Sequence, residues 1–270
     1  MRFRLKEIIT RTTTGIIFIA TVIGSILLHP LAFFVVMGVY TTIGLVEFYK
    51  LTTHTKNYLI PLTFGLITYT LIGLTGLHVI DSRYTLLMIP LVFILMATEL
   101  FNTRGSWQNL SFYLMSFIYI ALPFGLMNSL FYIRSTSPES ILLISLFFLV
   151  WTNDVFAYLT GSFFGKNKLM ERISPKKTWE GTFGGLFFAL IAAYLFYLFT
   201  DSLSLINWLS YAIILVVSAT VGDLAESMLK RNSGVKDSGT LFPGHGGVLD
   251  RFDAVLFATP FAYVFFNFVT

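Results

Sequence analysis

The chain is 270 residues long, 56% hydrophobic and 17% aromatic, with only 12% charged residues, a net charge of +4 and no cysteine. An ordinary soluble domain carries about 25% charged residues, so this composition excludes one and points to an integral membrane protein. The missing cysteines exclude disulfides, a thiol nucleophile and thiolate metal sites, and the modest positive charge reads as a topology signal that implies no nucleic-acid partner.

Apolar runs of about 18 residues or more predict membrane-spanning helices, because ~20 residues at ~1.5 Å each cross a ~30 Å hydrocarbon core with every backbone group bonded internally. Nine such runs follow in order: 12–28, 31–49, 59–79, 84–101, 109–133, 140–164, 182–200, 205–225 and 252–270. The expected fold class is therefore all-α, a polytopic membrane protein of about nine transmembrane helices. MRFRLKE ahead of GIIFIATVIGSILL has the outline of a signal peptide, but no small-x-small site follows before the apolar character resumes, so it reads as an uncleaved first span.

If the N-terminus is cytoplasmic and the spans alternate, sixteen of the eighteen cations fall on the inside: Arg2, Arg4, Lys6, Arg11, Lys50, Lys56, Arg104, Lys166, Lys168, Arg172, Lys176, Lys177, Lys230, Arg231, Lys236 and Arg251. Only Arg83 and Arg134 are left outside, a bias that predicts a cytoplasmic N-terminus and an inner-membrane, multi-pass location. Up to about residue 137 the loops are short and sparsely polar, which predicts a scaffold or oligomerisation part over 1–137. His29, His54 and His78 fall near predicted helix ends there and read as interfacial. From 138 to 270 the loops lengthen and become basic and glycine-punctuated, which predicts the part that does chemistry.

Three polar clusters lie in that second part. In WTNDVFAYLTGSFFGK, Asp154 sits about eleven residues before Gly165, ~16 Å deep by helical rise. A carboxylate there faces a bundle interior or a water-filled cavity, as a functional site or, with Asn153 beside it, as a hydrogen-bonded packing residue. In ISPKKTWEG, Ser174 suits a helix N-cap, Pro175 a first helical turn and Trp179 the membrane interface. Lys176 and Lys177 serve there as inside charge, as a patch for anionic headgroups or as phosphate ligands.

The third cluster brackets a loop with two acidic pairs, Asp223 with Glu226 and Asp250 with Asp253, each three residues apart and so on one helical face. Four carboxylates in a low-dielectric site repel one another unless a cation sits among them, and hard oxygen ligands suit Mg²⁺. Helix-dipole complementarity is the rival reading for Asp250 and Asp253. Between the pairs, Gly244, Gly246 and Gly247 flank His245 in a turn open to close backbone approach, the form of an anion-binding nest. Lys230, Arg231, Lys236 and Arg251 add cations.

SMLKRNSGVKDSGTLFPGHGGVLDRFD, from Ser227 to Asp253, resembles the signature of the phosphatidate cytidylyltransferases, the CDP-diacylglycerol synthases, and NDVFAY, FFGKNKL and SPKKTWEG resemble the same family in the same order. The resemblance covers about 150–253; the first 137 residues match only as a hydrophobic profile. It implies CTP and phosphatidate as substrates, CDP-diacylglycerol and diphosphate as products, one or two Mg²⁺ ions, a cytoplasm-facing site in the bilayer, and it leaves a homodimer open. On that resemblance Asp223, Glu226, Asp250 and Asp253 become metal ligands, and Asp154 lies in the same cavity with Asn153. Lys176, Lys177, Lys230, Arg231, Lys236 and Arg251 meet phosphates, Ser174 and the Gly244–Gly247 turn line the substrate, and Asp237 and His245 belong to the catalytic motif. A secondary transporter would show two halves with matching interrupted spans, and a CDP-alcohol phosphotransferase would show D-G-x-x-A-R, of which GDLAES is only an echo.

Overall fold

A computed structural model describes residues 2–53, 58–103 and 105–269, with backbone alone for 2–9. His54, Lys56 and Arg104 lie outside the described residues, as do the side chains of Arg2, Arg4 and Lys6. In chain order the helices are α1 (Arg2–Leu28), α2 (Pro30–Thr52), α3 (Leu59–Gly76), α4 (Met88–Phe101), α5 (Trp107–Ser116), α6 (Leu122–Ser129), α7 (Ile141–Phe164), α8 (Trp179–Phe199), α9 (Leu205–Asn232) and α10 (Leu249–Val269). One antiparallel hairpin, β1 (Lys168–Met170) with β2 (Ser174–Thr178), joins α7 to α8. Among the described residues nine helical stretches are long and apolar enough to cross a membrane, in the order and nearly the bounds that the apolar runs predict.

Local chemistry explains the breaks. His29 takes an extended conformation and its Nδ1 accepts from Leu31 N–H, while Pro30 supplies the first residue of α2 without needing a hydrogen-bond acceptor. Within the fifth span a π-turn, Phe117–Ala121, separates α5 from α6. Pro123 has no N–H to offer Tyr119 and its ring crowds that carbonyl, so the ladder widens and Leu122 N–H reaches back to Phe117 O.

The expected helix start at Ser174 and Pro175 is corrected. Both residues lie in β2, and α8 begins at Trp179 with Thr178 as its N-cap, the hydroxyl accepting from Gly181 N–H at 3.2 Å. Pro175 is tolerated because a two-stranded ribbon has an unpaired edge that asks for no N–H. Glu180, in the first turn of α8, folds back to accept from the N–H groups of Lys166 and Asn167 and from the Asn167 side-chain amide, which ties the hairpin to the helix.

The chain divides into two compact units, Met1–Glu139 with Val235–Phe252, and Ser140–Gly234 with Asp253–Thr270. The loop residues 235–252 thus group with the first unit. In that unit Phe18, Tyr40, Phe124, Phe242 and Phe252 pack ring on ring at centroid separations of 4.9–6.4 Å. In the second, α7 and α8 approach through small residues: Gly181 faces Gly161, Gly184 faces Thr160 and Gly185 faces Asn153. Small residues of this kind let backbones close where lipid supplies no hydrophobic drive between helices.

Candidate active site

In the second unit, α7, α9 and α10 bring carboxylates together. Asp253 lies within electrostatic range of Asp223, Glu226 and Asp154. Asp154 is exposed, while Asn153 beside it is buried against Gly185. Two lysines pair with two of the four carboxylates. Lys177 Nζ, at the end of β2, stands 2.5 Å from Asp223 Oδ2, and Lys230 Nζ stands 2.6 Å from Glu226 Oε2 one helical turn away. Glu226 is 1% exposed, so its charge needs that partner. Ser227 Oγ adds a hydrogen bond to Asp223 Oδ1 at 3.3 Å.

The donor atoms are all carboxylate oxygens, the chemistry that suits a hard divalent cation. Among the described residues no three His, Asp or Glu side chains close on one coordination point as they stand, and Lys177 and Lys230 pair with two of the four carboxylates.

In the first unit the glycine-rich loop is built around two other carboxylates. Asp250 Oδ2 accepts from Ser238 N–H at 2.7 Å, from Ser238 Oγ at 2.8 Å and from Gly247 N–H at 2.7 Å. Glu47, on α2 and 6% exposed, accepts from Val248 N–H, Leu249 N–H and Ser238 Oγ at 3.0, 3.0 and 3.1 Å. These contacts account for the glycines. Gly246 has φ +80°, which a side chain rarely adopts, and a Cβ on Gly247 would stand 2.3 Å from one Glu47 oxygen and 2.4 Å from the other.

His245 N–H donates to Phe242 O, and its Nδ1 stands 2.9 Å from Thr14 Oγ1. Arg251 Nε donates to His245 O. Partial burial, then the positive charges of Arg251 and Arg11, hold the imidazole below its usual pKa of 6.5, so it is neutral at neutral pH.

Residues 9–269 match the model of the Cytidylyltransferase family. The chain belongs to that family. It is 46% identical over 133 residues to a phosphatidate cytidylyltransferase of Haemophilus influenzae, covering 47% of this chain and 46% of the relative. It is 40% identical over 169 residues to one of Staphylococcus aureus, covering 62% and 63%, and 40% identical over 170 residues to one of Staphylococcus saprophyticus with the same coverage. The matched stretch thus spans about half to five-eighths of these curated relatives.

Within the chain the residues singled out by sequence separate into groups. Asp154, Asp223, Glu226 and Asp253 gather with Lys177 and Lys230. Asp250, His245, Arg251 and Gly244–Gly247 gather with Glu47 and Ser238. Lys176, Arg231, Lys236 and Asp237 are exposed, and Ser174 is half-buried at the start of β2. The expectation that the turn offers its N–H groups to substrate is revised at two positions, because His245 N–H serves Phe242 O and Gly247 N–H serves Asp250. Glu47 was not singled out; a carboxylate inside the apolar run 31–49 was the available signal.

Proposed function

We propose that the chain transfers the cytidylyl group of CTP to phosphatidate, giving CDP-diacylglycerol and diphosphate. The observation that carries this reading is the carboxylate cluster of Asp154, Asp223, Glu226 and Asp253, two of whose members pair with Lys177 and Lys230. A phosphate monoester with a second pKa near ~6 is mostly a dianion at neutral pH and needs no strong base to act as nucleophile. A phosphatidate oxygen attacks the α-phosphorus of CTP, forming one P–O bond, and the bond to the bridging oxygen breaks with its electron pair leaving on diphosphate.

The obstacle is repulsion between two polyanions, so the protein's work is to align them and offset charge. Asp223, Glu226 and Asp253 would hold a divalent cation such as Mg²⁺, which when bound neutralises charge on the triphosphate and the departing diphosphate. Lys177 and Lys230 then pass from carboxylate partners to phosphate partners, and the exposed Lys176, Arg231 and Lys236 draw the polyanions in. The N-terminus and these polar loops face the cytoplasm, on the strength of the cation bias.

Purified protein in vesicles given labelled CTP and phosphatidate releases labelled CDP-diacylglycerol and diphosphate in equal amounts, and stops when divalent cations are chelated. A protein that releases neither product under any divalent cation does not carry this activity. Orientation is read with single cysteines in the cysteine-free chain. Asn232→Cys reacts with an impermeant maleimide only from the cytoplasmic side and Ser137→Cys only from the other; reaction of both from one side overturns the orientation.

A further inference from the structure

Glu47 belongs to the part of the chain whose sequence reads as scaffold, yet it is a carboxylate buried five residues from the end of a membrane span. Burying such a charge is costly unless hydrogen bonds replace its water. Both oxygens have that replacement: Oε1 accepts from Val248 N–H, and Oε2 from Leu249 N–H and Ser238 Oγ. Val248 and Leu249 form the entry to α10, whose leading N–H groups have no partner within the helix. Glu47 therefore closes the start of α10 from a distance of about two hundred residues in sequence.

The same carboxylate shapes the loop. Cβ atoms added at Gly239 and Gly247 would both meet it at under 2.5 Å, so both glycines make room for Glu47. Ser238 Oγ lies within reach of Glu47 Oε2 at 3.1 Å and Asp250 Oδ2 at 2.8 Å, and its single proton serves one at a time. A chain of contacts thus runs from Glu47 through Ser238 and the α10 entry to Asp250, with Arg251 next along the helix.

We infer that Glu47 is a positioning residue of this enzyme: its carboxylate fixes the Ser238–Asp250 loop and the first turn of α10, and acts on the reaction only through them. The inference rests on the proposed activity for its kinetic readout alone. Its chemical signature is that both oxygens accept from backbone N–H groups. A glutamine of the same size turns one acceptor into an NH₂ donor, and in either flip that donor faces an N–H. An aspartate is shorter by one methylene but keeps both acceptors. A role that required only size ranks glutamine above aspartate; the role inferred here ranks aspartate above glutamine.

The test compares wild type, Glu47→Gln and Glu47→Asp as full chains in vesicles, by hydrogen exchange at Gly247–Leu249 and by diphosphate release per folded protein. Glu47→Gln is expected to speed exchange at Val248 and Leu249 by about tenfold or more, leaving α7 and α8 unchanged, and to lower turnover by about tenfold or more; Glu47→Asp falls between it and wild type on both. Glutamine equal to or better than aspartate, or wild-type exchange in Glu47→Gln, overturns the inference. If Glu47→Gln does not accumulate, Glu47→Asp decides: faster exchange confined to the loop supports the role, and wild-type exchange overturns it. If wild-type protein itself releases no diphosphate, the activity reading falls, and the exchange ranking alone still decides on Glu47.

Discussion

Around Asp250 and Glu47 negative charge is held by fixed backbone dipoles, the N–H groups of Ser238, Gly247, Val248 and Leu249. Around Asp223 and Glu226 it is held by the ends of flexible lysine side chains, Lys177 and Lys230. Backbone donors cannot leave without unfolding the loop, whereas an ammonium on a four-carbon stem can swing to another anion when a cation takes its place beside the carboxylate. The first arrangement suits architecture and the second suits exchange with a cation and with phosphates. Both use carboxylates near a span end, which is why residue type alone does not tell them apart.

Asparagine substitution tests that contrast most strongly. Asp223→Asn and Asp253→Asn remove charge from the exchangeable cluster and should each lower diphosphate release by about 10²–10³-fold. Asp250→Asn is the sharper case. Only Oδ2 takes the three loop hydrogen bonds, so an amide turned to place its oxygen there keeps all three. Loop exchange should therefore stay at the wild-type rate and turnover within about tenfold of it, as a loop fastener requires. A loss of about 10²–10³-fold would mark a charge needed for chemistry and break the contrast.

A smaller effect, of about tenfold to a hundredfold, is expected from Gly247→Ala, because the new methyl group meets both oxygens of Glu47. The penalty should shrink in a Glu47→Ala background, where nothing remains to collide with. Additive losses of turnover in the double variant would show that the two residues do not share one space.

The structure also divides a pair that sequence left together. Lys177 is half-buried and paired with Asp223, whereas Lys176 is exposed. Lys177→Gln leaves Asp223 without its counter-ion and should cost about tenfold in turnover, with Lys176→Gln costing under about threefold and chiefly flattening the salt dependence of the reaction. Equal losses would remove the distinction.

The spans were legible because bilayer thickness dictates their length: the run 31–49 became Pro30–Thr52 and 182–200 became Trp179–Phe199. The hairpin was not, since SPKKT lacks the alternation that marks a strand and its serine and proline imitate a helix start. The glycine turn was legible in kind, as N–H groups around an anion. Part of what those groups meet is the chain's own Asp250 and Glu47, and Glu47 is separated from Val248 by 201 residues, a pairing no local pattern records. The assignment of 235–252 to the first unit was hidden for the same reason.

The smallest expected effect belongs to His245, at the edge of the backbone-held region. Partial burial, Arg251 and Arg11 each disfavour its imidazolium, so its folded pKa lies below the 6.5 of a free imidazole. The sign follows. Below about pH 6.5 the unfolded chain takes up the proton before the folded one does, so stability rises with pH through the window up to 6.5 and is lost as pH falls through it toward the folded pKa. Lowering the pH from about 7.5 to about 5.5 should speed exchange at His245–Leu249 by a few-fold after correction for the intrinsic pH dependence of exchange. His245→Asn should abolish that increment. Arg11→Gln removes one of the two repelling charges, so the increment should shrink as the folded pKa moves back toward 6.5. A wild-type loop whose corrected exchange is flat across this range would show that the imidazole takes up its proton there at no cost, and that the two arginines do not govern it.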